Sequence, residues 1–206
     1  MARVAASAPS TRRREEEIIA AAAQVFARRG YHGASTQDIA DVLGMRQASL
    51  YYYFPSKEKA LKLVCERGVA GYAEGAAAVA AGGARATAKL TALLRNHLEP
   101  MRERAAYVHV FQRERRYLPP DLRPRVRRLA RRYEKIVEQV FAQGARSGEF
   151  RRDLDCRMAA LALIGMCNAA TAWYGLEPGA SLERIVRNYA RFMIEGVAAK
   201  PAPRAR

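Results

Sequence analysis

Gln47, Ala48, Ser49 and Tyr51 surround a pair of apolar residues, Leu50 and Phe54, spaced one helical turn apart. That is unusual chemistry for a water-facing surface, and it suits the edges of DNA bases. A Gln amide can bond adenine at two points, and the Ala48 methyl can pack on a thymine methyl. Tyr51 and Tyr53 carry hydroxyls on rigid rings, and Lys57 is a point charge near the start of the next helix, both fit for phosphates. Gln37 and Arg46 are candidates for further base or phosphate contacts. Tyr51, Tyr52 and Tyr53 could instead be core. Leu50 and Phe54 already fill that place, so Tyr51 is read as functional and Tyr52 as partly buried. No catalytic constellation competes: His32, His97 and His109 lack metal spacing, and no GxSxG motif, phosphate loop or Cys–His pair occurs. An enzyme, a metal site and a cofactor are therefore not expected.

The elements that must hold these side chains lie between Ser35 and Lys57. Ser35, Thr36 and Asp38 supply a cap and negative charge for a short helix whose Ile39, Ala40 and Leu43 share one face. Gly44 stands where the chain turns with positive φ, and a second short helix follows. A two-helix unit of this kind lays its second helix in the major groove. The order and spacing of IIAAAAQVFARRGYHGAS, TQDIADVLGM and ASLYYYFPSKEKAL, over about 50 residues, resemble the TetR/AcrR family of bacterial regulators. The resemblance implies Gln47, Ala48 and Tyr51 at base edges and Thr36, Ser49, Tyr53 and Lys57 at phosphates. It also implies a homodimer on a palindromic operator, released by a small effector.

The composition fits an all-α fold. Half of the 206 residues are apolar, segments rich in Ala, Leu, Arg and Glu recur at helical period, and period-2 alternation is absent. Some nine helices are expected: a flexible arm over 1–10, a helix-turn-helix domain over 11–56, a ligand-binding and dimerisation domain over 57–199 and a flexible tail over 200–206. No run of 18 apolar residues argues for a membrane span, and Cys65, Cys156 and Cys167, without CxxC spacing, read as reduced thiols of a cytoplasmic protein. The net charge of +16 is unevenly spread. Residues 1–58 hold 8 Lys/Arg against 6 Asp/Glu, the other 148 hold 28 against 14. The excess could steer the protein toward DNA, attract an anionic ligand, or be a solvated surface.

Ser10 or Thr11 is expected to cap the first helix, which ends at Gly30, with Arg12, Arg13 and Arg14 positioned for phosphate contact. A helix over Lys57–Ala81 stops at Gly82-Gly83, and further helices cover Ala86–Glu99, Ala105–Tyr117 and 121–144, with Gly144 and Gly148 as terminators. In the helix over 121–144 the apolar stripe from Val126 to Phe141 opposes Arg127, Arg128, Arg131, Arg132 and Lys135, a solvent face first of all. Two C-terminal helices, at about Leu154–Tyr174 and Ser181–Ala199, carry small residues that permit close approach. They are expected to pair with their copies in a second subunit through Leu161, Gly165, Asn168, Ala172, Ile185, Tyr189, Phe192 and Met193, with intrachain core as the alternative.

For a ligand, Tyr107, Val108, Phe111, Met158, Leu161 and Trp173 could line an apolar cavity or be ordinary core. The tract NAATAWYGLEPGASLERI resembles family members that govern fatty-acid breakdown and respond to acyl-CoA. Arg102, Arg113 and Arg116 would be available to its phosphates. A drug-like efflux substrate, or non-specific DNA coating, are the competing readings.

Overall fold

The computed structural model describes residues 8–198, with side chains from residue 12 onward, and these residues form helices without strands. Of the expected arm over 1–10, residues 1–7 lie outside the described residues and 8–10 belong to the first helix; the expected tail over 200–206 also lies outside them. One isolated antiparallel bridge joins Phe150 to Ala198. The chain forms two compact units, each made of two stretches. One unit comprises residues 1–69 and 104–127, the other 70–103 and 128–206.

In the first unit, α1 (Ala8–Gly33) begins before Ser10 and Thr11, so neither is its cap. Gly30, at φ 69°, interrupts the helix where a terminator was expected, but one further turn follows. Ile18, Ala22, Val25 and Phe26 are buried from α1. α2 (Thr36–Val42) opens with a reciprocal capping box: Ser35 Oγ accepts from Asp38 N at 3.1 Å, and Asp38 Oδ2 accepts from Ser35 N at 2.8 Å. The Ser35 hydroxyl also donates to Asp38 Oδ2 at 2.7 Å, and that bond, then the one from the Ser35 amide, holds the Asp38 carboxyl below its ordinary value. Gly44, at φ 60°, turns the chain into α3 (Gln47–Leu50). α4 (Lys57–Ala81) runs as expected, its first turn capped by Ser56 Oγ.

α5 (Ala86–Leu98) belongs to the second unit, and its first amides, Ala86 N and Thr87 N, donate to the Glu149 carboxylate at 3.0 and 3.1 Å. Pro100 does not simply end it; it starts a single turn, α6 (Pro100–Glu103). α7 (Ala105–Glu114) passes into a 3-10 turn at Arg115–Tyr117, again in the first unit. α8 (Arg123–Ser147) buries Val126, Tyr133, Val137, Val140 and Phe141 and exposes Arg127, Arg128, Arg131, Arg132 and Lys135, the expected division. Gly144 does not terminate it. A Cβ there would lie 2.1 Å from a Phe150 ring carbon and 2.9 Å from Ala86 Cβ, so Gly144 is where these neighbours come closest. Gly148, at φ 78°, is the terminator.

α9 (Cys156–Ala170) and α10 (Leu182–Val197) complete the second unit, capped by Asp155 and Ser181. α10 packs on α5 with Leu182, Ile185, Val186, Ala190, Met193 and Val197. Beneath, His97 is buried between Tyr133 Oη, 2.9 Å from Nδ1, and Asn168 Oδ1, 3.2 Å from Nε2. Burial drives its pKa down to about 4, so the ring stays neutral. Cys65 and Cys167 are buried free thiols pushed up to about 12, chiefly by desolvation.

Candidate nucleic-acid interface

Leu50 and Phe54 are both buried, as their spacing requires, and anchor the second reader helix from below. Arg46, Ala48, Ser49 and Tyr51 are then exposed together, while Gln47, Thr36 and Tyr53 are half-buried. The helical part of this element is one turn, Gln47–Leu50, and residues 51–53 continue as turn. Phe54 N still donates to Leu50 O at 3.2 Å, so the i, i+4 relation of the anchors survives.

Gln47 Nε2 donates to Thr36 Oγ1 at 2.6 Å, joining α3 to the start of α2. Gln37 lies along its own helix instead, Nε2 donating to Asp41 Oδ1 at 2.6 Å. Arg29 reaches Asp38 at 2.8 Å, so the end of α1 is tied to the cap of α2. Of the preceding arginines, Arg13 and Arg14 pair with Glu17 at 3.3 and 3.0 Å, and both Arg12 and Arg13 remain exposed.

Two expectations for this surface change. Tyr52 is not partly buried: it is 81% exposed, more than Tyr51 at 47%, with its ring edge-on to Tyr53 at 5.3 Å. The wheel already held this signal, since position 52 is about 200° from each anchor and so lies opposite both. Lys57 is not a free point charge. Its Nζ donates to Tyr31 O at 3.0 Å and Ala34 O at 2.9 Å and lies 4.5 Å from the Tyr31 ring centroid. Two of its three donors are spent on carbonyls in the last turn of α1 and just past its end.

Tyr31 itself is a hub that sequence reasoning missed. Its amide donates to the buried Glu114 carboxylate at 2.9 Å, and its hydroxyl to Glu58 at 2.5 Å. Its ring stacks on Tyr117 at 5.6 Å. Burial, then Glu58, pushes the phenol above its ordinary value. The end of α1 is thus fastened to α4 and to the end of α7 within one unit. No local pattern in either segment signals a bond spanning 83 residues.

The residues expected to line a ligand cavity are divided between the units. Tyr107, Phe111, Arg113 and Arg116 belong to the first, Arg102, Leu161 and Trp173 to the second. Phe111 is buried core, Arg102 pairs with its neighbour Glu103 at 3.6 Å, and Leu161 faces outward. Met158, also considered for that cavity, is 59% exposed. A cavity of about 400 Å³ in the first unit is lined by Arg115, Arg116, Leu118, Arg123, Val126 and Arg127.

The expected pairing surface separates into two groups. Met158, Leu161, Ala162, Gly165, Ala169 and Ala172 form an exposed small-and-apolar stripe along α9 and the turn after it, and Phe192 on α10 is 60% exposed. Ile185 and Met193 are buried in the α10 stripe that packs on α5, so they are core and cannot meet a second subunit. Asn168 turns inward to His97, and Tyr189 is half-buried.

Among the described residues no helix is long and apolar enough to cross a membrane, and no group of His, Cys, Asp and Glu could hold a metal ion. Residues 18–64 match the model described as bacterial regulatory proteins, tetR family, and residues 83–197 match the tetracyclin repressor-like C-terminal domain. The chain is 26% identical over 177 residues to the HTH-type transcriptional repressor KstR2 of Rhodococcus jostii, covering 85% of this chain and 87% of that protein. It is 25% identical over 175 residues to the fatty acid metabolism regulator protein of Bacillus subtilis, covering 84% and 90%. The crystal structure of FadR from Bacillus subtilis in complex with stearoyl-CoA shares its fold, with a TM-score of 0.75, 24% identity and coverage of 88% and 98%.

Proposed function

The chain belongs to the TetR family of bacterial regulatory proteins, and on that footing we propose that it is a ligand-responsive transcriptional repressor binding an inverted-repeat operator as a homodimer. The reader carries this reading: Gln47, fixed by Thr36, stands beside exposed Ala48, Ser49 and Tyr51 above two buried anchors. Gln47, Ala48 and Tyr51 take base edges. Thr36, Ser49, Tyr53 and Arg46 take phosphates, and the exposed Tyr52 joins them. Thr36 suits its role, because its oxygen accepts from Gln47 while its own O–H remains to donate. Lys57 serves by position, holding the end of α1 against the reader.

The apolar stripe of α9, with Phe192, forms the isologous contact between subunits, and two readers then match two half-sites. An effector favours a dimer in which their separation no longer fits the operator. We take that effector to be an acyl-CoA. The support is the fatty-acid regulator among the relatives, the stearoyl-CoA in a protein of the same fold, and a chain both basic and half apolar. Action on genomic DNA implies the bacterial cytoplasm as its compartment.

Sequencing genomic fragments retained by the purified protein tests the reading directly. One palindromic motif upstream of a few genes is the expected result; a monomer that retains every duplex equally would overturn it. An acyl-CoA panel from short chains to oleoyl should raise the melting temperature and release the operator. If no member does either, the effector is of another class.

A further inference from the structure

Arg115, Arg116, Arg123 and Arg127 converge on one cavity of about 400 Å³, whose other lining residues, Leu118 and Val126, are buried and apolar. All lie in the first unit. No acid stands among the lining residues, and none of the four arginines forms an ion pair among the described residues. The contrast with Arg125, in the same helical turn, is direct: it pairs with Glu66 at 2.9 Å. Where a carboxylate is within reach, the fold uses it.

Three of the four guanidinium groups are also held. Arg123 donates through Nε to Leu118 O at 2.5 Å and through a terminal nitrogen to Arg116 O at 3.3 Å. The Arg115 guanidinium lies 4.7 Å from the Phe111 ring centroid, and that of Arg116 4.9 Å from the Tyr117 centroid. Arg128, Arg131 and Arg132, further along α8, are exposed to solvent and do not line this cavity. Like charges drawn to one hollow repel unless an anion with several acceptor oxygens lies among them, and planar guanidinium forks match phosphoryl oxygens.

We propose that this hollow binds the diphosphate group of a small phosphorylated ligand, the ligand's carbon skeleton resting on Leu118 and Val126. The inference does not require the effector to be an acyl-CoA, because the diphosphate is the part recognised; nucleotides and coenzyme A carry it alike.

Calorimetric titration of the full chain with inorganic pyrophosphate, at fixed ionic strength, tests the site. One saturable site per chain is expected, and R116Q/R127Q together should weaken it by about tenfold or more. R128Q/R132Q removes the same charge from exposed positions without lining the cavity and should leave affinity within about twofold. R127K keeps the charge but loses the fork, so it should fall between wild type and the double variant. ADP or free coenzyme A should compete, and the stronger competitor names the source. The proposal falls if no saturable heat appears, if R128Q/R132Q loses as much as R116Q/R127Q, or if neither organic diphosphate competes. It falls too if R116Q/R127Q only flattens the salt dependence of operator binding by about two units, which would assign these arginines to DNA phosphates.

Discussion

Gln47 Nε2 and Thr36 Oγ1 stand 2.6 Å apart, a bond that joins the two reader helices across the turn at Gly44. A residue chosen for base edges and one chosen for phosphate are therefore a single unit. Each sets the rotamer of the other, so the entropy of ordering the Gln47 amide is largely met before DNA arrives.

Thr36→Val keeps the shape and removes the hydroxyl. A double-mutant cycle with Gln47→Ala, read by operator affinity, should return a coupling of about 0.5–1.5 kcal/mol. Strictly additive losses would mean that the two side chains act separately on DNA.

Lys57→Met retains the apolar stem and removes the ammonium from Tyr31 O and Ala34 O. Thermal or urea unfolding should show a loss of about 1–2 kcal/mol. The slope of DNA affinity against salt should not move. A slope lower by about one unit would instead put the third Lys57 N–H on a phosphate.

Gly144→Ala drives a methyl into the Phe150 ring and should cost about 1–3 kcal/mol in urea unfolding. Gly165 sits in a helix with nothing within 4 Å of its would-be Cβ. Gly165→Ala should leave the folded monomer equally or more stable, by up to about 1 kcal/mol. Equal effects at the two sites would contradict the close approach at Gly144.

Phe192 and Met193 are adjacent in sequence and opposite in role. Phe192→Asp should yield a helical monomer in sedimentation, because in the proposed dimer the lost contact lies between subunits. Met193→Asp should abolish the cooperative melt, because it places a carboxylate in the core beside α5. A dimeric Phe192→Asp protein would remove α9 and α10 from the interface.

His97 links stability to pH. Its folded pKa, about 4, lies below the 6.5 of the free side chain, so the unfolded state binds the proton first. The stability from burying a neutral ring is complete above pH 6.5 and is lost as pH falls toward 4, at up to about 1.4 kcal/mol per unit. His97→Gln should remove that part of the slope between pH 6.5 and 4. Parallel curves for variant and wild type would place the titration on other groups.

Much of this molecule was legible in the chain because its determinants are local. The cap at Ser35, the turn at Gly44, the anchors Leu50 and Phe54 and the two faces of α8 follow from propensity, φ preference and helical period, which act within a few residues. Tyr52 was legible in the same way, and weighing tyrosine as a core residue hid it.

Tertiary structure alone decided the rest, since each remaining point turns on which distant segment arrives. Gly144 is a packing site because Phe150 and Ala86 converge there, and Met193 is core because α10 lies on α5. Lys57 is tied down because α1 ends beside it, and Tyr31 is a hub because α7 returns with Glu114. Charge shows the same limit. Residues 1–58 are nearly balanced, yet 59–69 add 3 basic residues against 1 acidic and 104–127 add 7 against 2, so the unit that holds the reader carries 18 against 9. The sequence alone determined the helices, the reader and the family resemblance, because those are written in short-range spacing. The fold decided which charges stand together and which apolar faces stay open, because both depend on long-range packing that no local period encodes.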